Sequence, residues 1–128
     1  MNHCLDSWAV IAWMENNEPA ASQVERIIRK RPFMSTANVT EVFYLTKREH
    51  GLEAAQRTVD TLRVLTQFVP VDEQIAVVAG NIKADYKMSL GDAFCVATAT
   101  IKNAKILTGD PEIIEANGKW KVTDLRDK

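Results

Sequence analysis

The chain has little of what small domains use in place of a core. Its two cysteines, Cys4 and Cys95, each sit among apolar residues, and no CxxC or Cys/His cluster is present. A disulfide framework and a structural zinc site are both excluded. Five glycines and four prolines are too few and too scattered to form a linker or a low-complexity tract, and there is no internal repeat. A single domain over residues 1–128 is expected, large enough to bury about two thirds of the surface its unfolded form exposes. An excess of either charge is also missing. Sixteen basic against seventeen acidic residues leave a net charge of -1, which excludes a bulk polycation of the kind that coats nucleic acid. No basic segment precedes the first apolar run, WAVIAWM, and Glu15, Asn16 and Asn17 interrupt that run before it could span a bilayer. A cytoplasmic protein with no membrane association is expected.

What is present is an alternation of short apolar runs and longer amphipathic ones. His3 to Leu5 reads as a strand, and WAVIAWM, apolar all round, as a buried helix started by Asp6 or Ser7. Pro19 opens a second helix to about Arg31, apolar on one face and charged on the other. Pro32 to Ser35 reads as a strand. A helix capped near Ser35 or Thr36 follows, ended by Gly51, and another runs from Leu52 to Leu65. Gln67 to Val71 is β-rich, Asp72 caps a helix to the Tyr86 region, and a further helix carries Asp92 in its first turn. Lys105 to Thr108 and Trp120 to Thr123 complete the strands. Alternation of this kind predicts a three-layer α/β/α sandwich around a central, mostly parallel sheet.

Four acids fall where such a fold places its sites, beyond the carboxyl ends of the strands. Asp6 directly follows the first strand, Asp110 follows ILT and Gly109, and Glu41 lies two turns into the helix after PFMS. Asp92 has no strand before it, but its helix brings it to the same rim if it packs on the sheet. It is the only charge in SLGDAFCVATATI, and the nearest basic residues in sequence are Lys87 and Lys102. Each acid also has a local reading. Ser89 and Asp92 fit a capping box, Asp110 before Pro111 fits a helix cap, Asp6 fits a cap for WAVIAWM, and Glu41 fits an exposed helix edge.

Together the four acids point further than they do singly. Carboxylates gathered in one pocket repel by about 4 kcal/mol per pair at ~4 Å and an effective dielectric of ~20. A divalent cation removes that penalty, and an all-oxygen donor set without His or Cys suits Mg²⁺ or Mn²⁺. The chemistry implied is phosphodiester hydrolysis. Local basic runs, Arg26, Arg29, Lys30 and Arg31 and then Lys47 and Arg48, leave a nucleic-acid backbone open as a substrate, although each also fits a solvated helix face.

The LDS strand end, TANVTEVFY, SLGDAFCVATA and ILTGDPEI, in that order, resemble the PIN domain, and most closely the VapC-type toxins of toxin-antitoxin pairs. The resemblance covers nearly the whole chain. It implies a Mg²⁺- or Mn²⁺-dependent endoribonuclease, with Asp6, Glu41, Asp92 and Asp110 as catalytic metal-binding acids. Ser7 and Thr108 match the small hydroxyl residues beside the first and last acids, and Asn38 a polar position one turn before the glutamate. It further implies an RNA substrate, a cognate antitoxin and a homodimer. Glu112 fits either a second carboxylate beside Asp110 or a first-turn helix acid.

Ile113 stands where the family often has an aromatic residue, and Trp8 and Trp13 are bulkier than its usual aliphatic residues. Core packing accounts for both tryptophans. Alternatively Trp13, with Ile27 and Ile28, lines a groove for a partner. Two rival functions remain: a housekeeping RNA-processing PIN nuclease, and a non-catalytic PIN domain that binds RNA or a partner. A phosphate-accepting receiver domain is excluded, because no Asp-Asp pair follows the first strand.

Overall fold

The structure, a computed structural model, describes residues 2–126. Among these residues five strands form one all-parallel sheet: β1 (His3–Leu5), β2 (Phe33–Ser35), β3 (Gln67–Val69), β4 (Lys105–Thr108) and β5 (Val122–Asp124). Their order is β3-β2-β1-β4-β5. The helices are α1 (Ser7–Met14), α2 (Ala20–Ile28), α3 (Thr36–His50), α4 (Leu52–Leu65), α5 (Glu73–Asp85), α6 (Leu90–Ile101) and the short α7 (Pro111–Ile114). None among the described residues is long and apolar enough to cross a membrane.

Alternation along the central strands builds two cores. Cys4 and Ile106 face one side of the sheet and pack with Ile75, Ala79, Ala93, Cys95 and Val96 of α5 and α6. Leu5 and Leu107, one residue on, face the other side and pack with α1, α2, Val42 of α3 and Leu62 of α4. Both leucines are almost fully buried, which stabilises the fold by roughly 1.5–3 kcal/mol each. Helices therefore cover both faces, as the near-continuous apolar strands require. The two cysteines are free and buried in the first core.

Helix starts follow the caps in the sequence. Asp6, Ser35, Asp72, Ser89 and Asp110 each accept a backbone N–H from the helix they precede. Some bounds differ from expectation: α2 stops at Ile28, β2 starts at Phe33, β3 stops at Val69, before Pro70, and the last strand runs from Val122 to Asp124. Proline has no N–H to give the ladder. Trp120 is drawn out of the last strand by packing edge-on against Tyr86, 4.9 Å between ring centroids.

The strand order reverses at β1, which lies between β2 and β4. Open α/β sheets place sites at such a point, beyond the carboxyl ends of the strands. The residues there are Asp6 after β1 and Gly109-Asp110 after β4.

Candidate metal centre

Asp6 divides its carboxylate between two tasks. Its Oδ1 accepts the Ala9 amide (2.8 Å), which caps α1, while its Oδ2 accepts the Thr108 hydroxyl. The same Thr108 Oγ1 accepts the Asp110 amide (2.9 Å). One fully buried hydroxyl at the end of β4 thus ties the first acid to the last, donating once and accepting once. Asp110 Oδ1 in turn accepts the Glu112 amide (2.9 Å) and caps α7. The capping readings of Asp6 and Asp110 are therefore correct as local structure, and neither prevents the two from meeting.

Asp92 enters from α6, which packs across β1, β2 and β4. Ser89 Oγ accepts the Asp92 amide (3.1 Å), but Asp92 does not return the bond. The Ser89 amide donates to Glu112 Oε1 instead (3.2 Å). Asp92 is buried, and its Oδ2 meets no hydrogen-bond partner among the described residues. One oxygen each from Asp6, Asp92 and Asp110 lies within 4.8 Å of the others.

Glu41 stands beside this cluster and outside that group of three. Its Oε1 accepts from Ser7 Oγ (3.0 Å) and from Asn38 Nδ2 (2.8 Å). Asn38, itself buried, also donates to the Gly91 carbonyl (3.1 Å), so it joins α3 to the first turn of α6. Gly91 is glycine for a spatial reason: a Cβ there would overlap the Glu41 carboxylate. Asn38 Oδ1 is the second buried acceptor without a partner.

Burial and mutual repulsion disfavour the ionised forms of the clustered acids. Burial, and to a lesser degree the charges of Asp110 and Glu41, push the Asp6 carboxyl up to about 7 against the opposing Thr108 and Ala9 hydrogen bonds. Burial likewise raises Asp92, to about 8, reinforced by the neighbouring Asp110 carboxylate and opposed by Ser89. Among the described residues no lysine or arginine pairs with any of the four acids. Three converging carboxylates and an unsatisfied buried oxygen fit an oxygen-loving divalent cation, and Mg²⁺ and Mn²⁺ suit that donor set.

The groove expected from Trp13, Ile27 and Ile28 does not form as one surface. Ile28 is buried in the core beneath α2, and Ile27 lines a small cavity at the amino end of the sheet. Trp13 instead donates from Nε1 to Glu25 (2.6 Å) and borders a different cavity, of about 560 Å³, with Met14, Ala54 and Arg57. The helical spacing that puts 27 and 28 near each other in sequence turns them apart in space. Trp8 packs its ring on Gly109, where a Cβ would collide with it. The sequence reading missed the Glu112 bond to Ser89, because twenty-three residues separate the partners.

An all-parallel sheet covered on both faces, with acids gathered at its switch point, defines an α/β sandwich of the PIN type. The PIN domain family matches residues 3–119, and the chain belongs to that family. No curated protein matches the chain in sequence. Solved structures similar in fold include VapBC2 from Rickettsia felis bound to a promoter DNA fragment (TM-score 0.79, 12% identity, covering 98% of this chain and 100% of that one). A toxin-antitoxin complex from Klebsiella pneumoniae superposes with a TM-score of 0.80 at 20% identity, covering 99% of this chain and 100% of that one. The sarcin-ricin-loop-cleaving toxin VapC20 from Mycobacterium tuberculosis does so at 0.74 and 16% identity, covering 91% and 95%.

Proposed function

We propose that the protein is a metal-dependent endoribonuclease, the toxin half of a toxin-antitoxin pair. The observation that carries this reading is the convergence of Asp6, Asp92 and Asp110, with one buried Asp92 oxygen unsatisfied. Asp6, Asp92 and Asp110 would hold Mg²⁺ or Mn²⁺. When bound, the cation supplies a Lewis acid for the phosphate and lowers the pKa of an attacking water.

The chain's own groups prepare that chemistry. Thr108 fixes an oxygen of Asp6 with its hydroxyl proton and the backbone of Asp110 by accepting its amide. Ser7 and Asn38 both engage one oxygen of Glu41, which leaves the other as an acceptor for a proton from water or for a further ligand at the edge of the cluster. No side chain acts as a covalent nucleophile, and water attack leaves a 5'-phosphate and a 3'-hydroxyl.

The fold neighbours described as toxin-antitoxin complexes support an antitoxin partner, and the sarcin-ricin-loop-cleaving toxin among them supports RNA as substrate. The groove between α1 and α4, with Trp13 and the exposed Met14 on its wall, is the surface we assign to that partner. A homodimer is part of the same reading and is tested by light scattering. The reading itself is tested by cleavage of a structured RNA with Mn²⁺, with EDTA, and by Asp92→Asn. Cleavage that requires Mn²⁺ and is lost in the variant supports it. Cleavage that survives both EDTA and the substitution refutes it, and no cleavage under any condition favours a non-catalytic binding domain.

A further inference from the structure

The rim opposite the acids is basic. The amino ends of β1, β2 and β4, with the ends of α2 and α6, bring His3, Lys30, Arg31, Lys102 and Lys105 to one edge of the sheet. A cavity of about 220 Å³ opens there, with Asn2, His3, Lys30 and Arg31 on its polar side and Ile27 and Phe33 on its apolar side. Lys102 Nζ lies 5.5 Å from the centre of the Phe33 ring. Lys105 stands opposite His3 in the β1–β4 register. Among the described residues no acid lines the cavity, and none of the four lysine and arginine side chains has a carboxylate partner. In a chain with a net charge of -1, an unneutralised basic cluster at one edge repels itself unless an anion joins it.

Arg31 is held for more than packing. Its φ is 51°, the left-handed conformation that follows a helix end and favours glycine or asparagine. An arginine accepts that conformation at a cost, and the surroundings hold it there. Its amide donates to the Ile28 carbonyl (3.2 Å), its own carbonyl accepts from Gln67 Nε2 (2.8 Å), and its Nη2 donates to the Thr66 carbonyl (3.2 Å). That last bond orients the guanidinium while using one of its five donors.

We propose that this cavity is a phosphate-binding site, distinct from the metal centre. A planar guanidinium beside ammonium groups matches the oxygens of a phosphate in charge and in geometry, and no other anion-binding feature is required. The phosphate arrives either as a free group or as part of an RNA strand. The inference does not rest on the nuclease reading, because the acids lie at the other ends of the same strands.

His3 reports on the site by NMR, with its imidazole signals told apart from those of exposed His50 by a His50→Gln variant. Full-length protein in EDTA is titrated with inorganic phosphate and, separately, with oligouridylate. Saturable movement of the His3 signals with phosphate identifies a site for the free group, and movement with the oligonucleotide alone identifies a site for the strand. Arg31→Gly suits the left-handed backbone and removes the guanidinium, so it should melt at or above the wild-type temperature while binding roughly tenfold more weakly. Lys30→Gln with Lys105→Gln should weaken binding likewise, and Asp92→Asn should leave it unchanged. The proposal is overturned if neither probe moves His3, if binding is unaffected in both basic-edge variants, or if an oligoglutamate peptide binds as tightly as phosphate.

Discussion

Ser89 and Asp92 make half of a capping box. Ser89 Oγ accepts the Asp92 amide at 3.1 Å, but the amide of Ser89 goes to Glu112 and the Asp92 carboxylate is left to the cluster, one oxygen buried without a partner. Glu112, supplied by the helix that Asp110 caps, does the work that Asp92 would otherwise do. The helix keeps its cap while the carboxylate is released to the acidic cluster.

Replacing that charge should separate stability from function. In EDTA at neutral pH, Asp92→Asn removes a buried carboxyl whose ionisation the site disfavours, its pKa pushed up to about 8, without changing shape, so the variant should be more stable than wild type by about 1–2 kcal/mol in denaturant melts. With Mn²⁺ present the order should reverse, since wild type alone gains the binding energy, and RNA cleavage should fall by roughly a hundredfold or more.

The metal-free protein should also lose stability as pH rises. The Asp6 carboxyl is raised to about 7 by burial, so the folded state holds its proton more tightly than the unfolded chain does. Its contribution is therefore complete below the unfolded pKa of about 4 and is lost as pH climbs through about 7, an effect of roughly 4 kcal/mol at most. Melts in EDTA across that window should fall, and Mg²⁺ should flatten the upper part of the curve.

Gly91→Ala tests the position of Glu41. Alanine favours the helix by about 1 kcal/mol, yet its Cβ would fall on the Glu41 carboxylate, the mobile end of a side chain that can swing away. The expected variant melts no lower than wild type and cleaves RNA at least about tenfold more slowly, with kcat reduced more than KM raised. Unchanged cleavage would remove Glu41 from the account.

Thr108→Val keeps the shape and deletes the hydroxyl between Asp6 and Asp110. Leaving Asp6 Oδ2 without its donor in a buried site should cost about 1–3 kcal/mol in EDTA, and Mn²⁺ affinity should fall about tenfold or more because two ligands lose their shared anchor.

Much of this was legible in the sequence because it is local. Caps at Asp6, Ser89 and Asp110 follow from residues within a turn of one another, and four strands start within a residue of where the pattern puts them, β2 one residue on after Pro32. The meeting of Asp6 with Asp110 was an inference from topology, since parallel neighbours end at the same rim. What stayed hidden depends on distance across the fold. Gly91 and Gly109 look like ordinary glycines until Glu41 and Trp8 are seen against them. Likewise, the spacing of Ile27 and Ile28 could not say that Ile28 is buried in the core and Ile27 faces the basic cavity at the opposite edge.

The claim on which the rest depends is that Asp6, Asp92 and Asp110 hold a divalent cation, and calorimetric titration of Mn²⁺ tests it directly. Wild type at neutral pH should bind Mn²⁺ saturably and release protons, seen as a heat that varies with the buffer, because the cation displaces the proton that burial keeps on Asp6. Asp92→Asn, folded by its own melt, should bind at least about tenfold more weakly. Absence of saturable binding to wild type, or equal binding to the variant, would contradict the account.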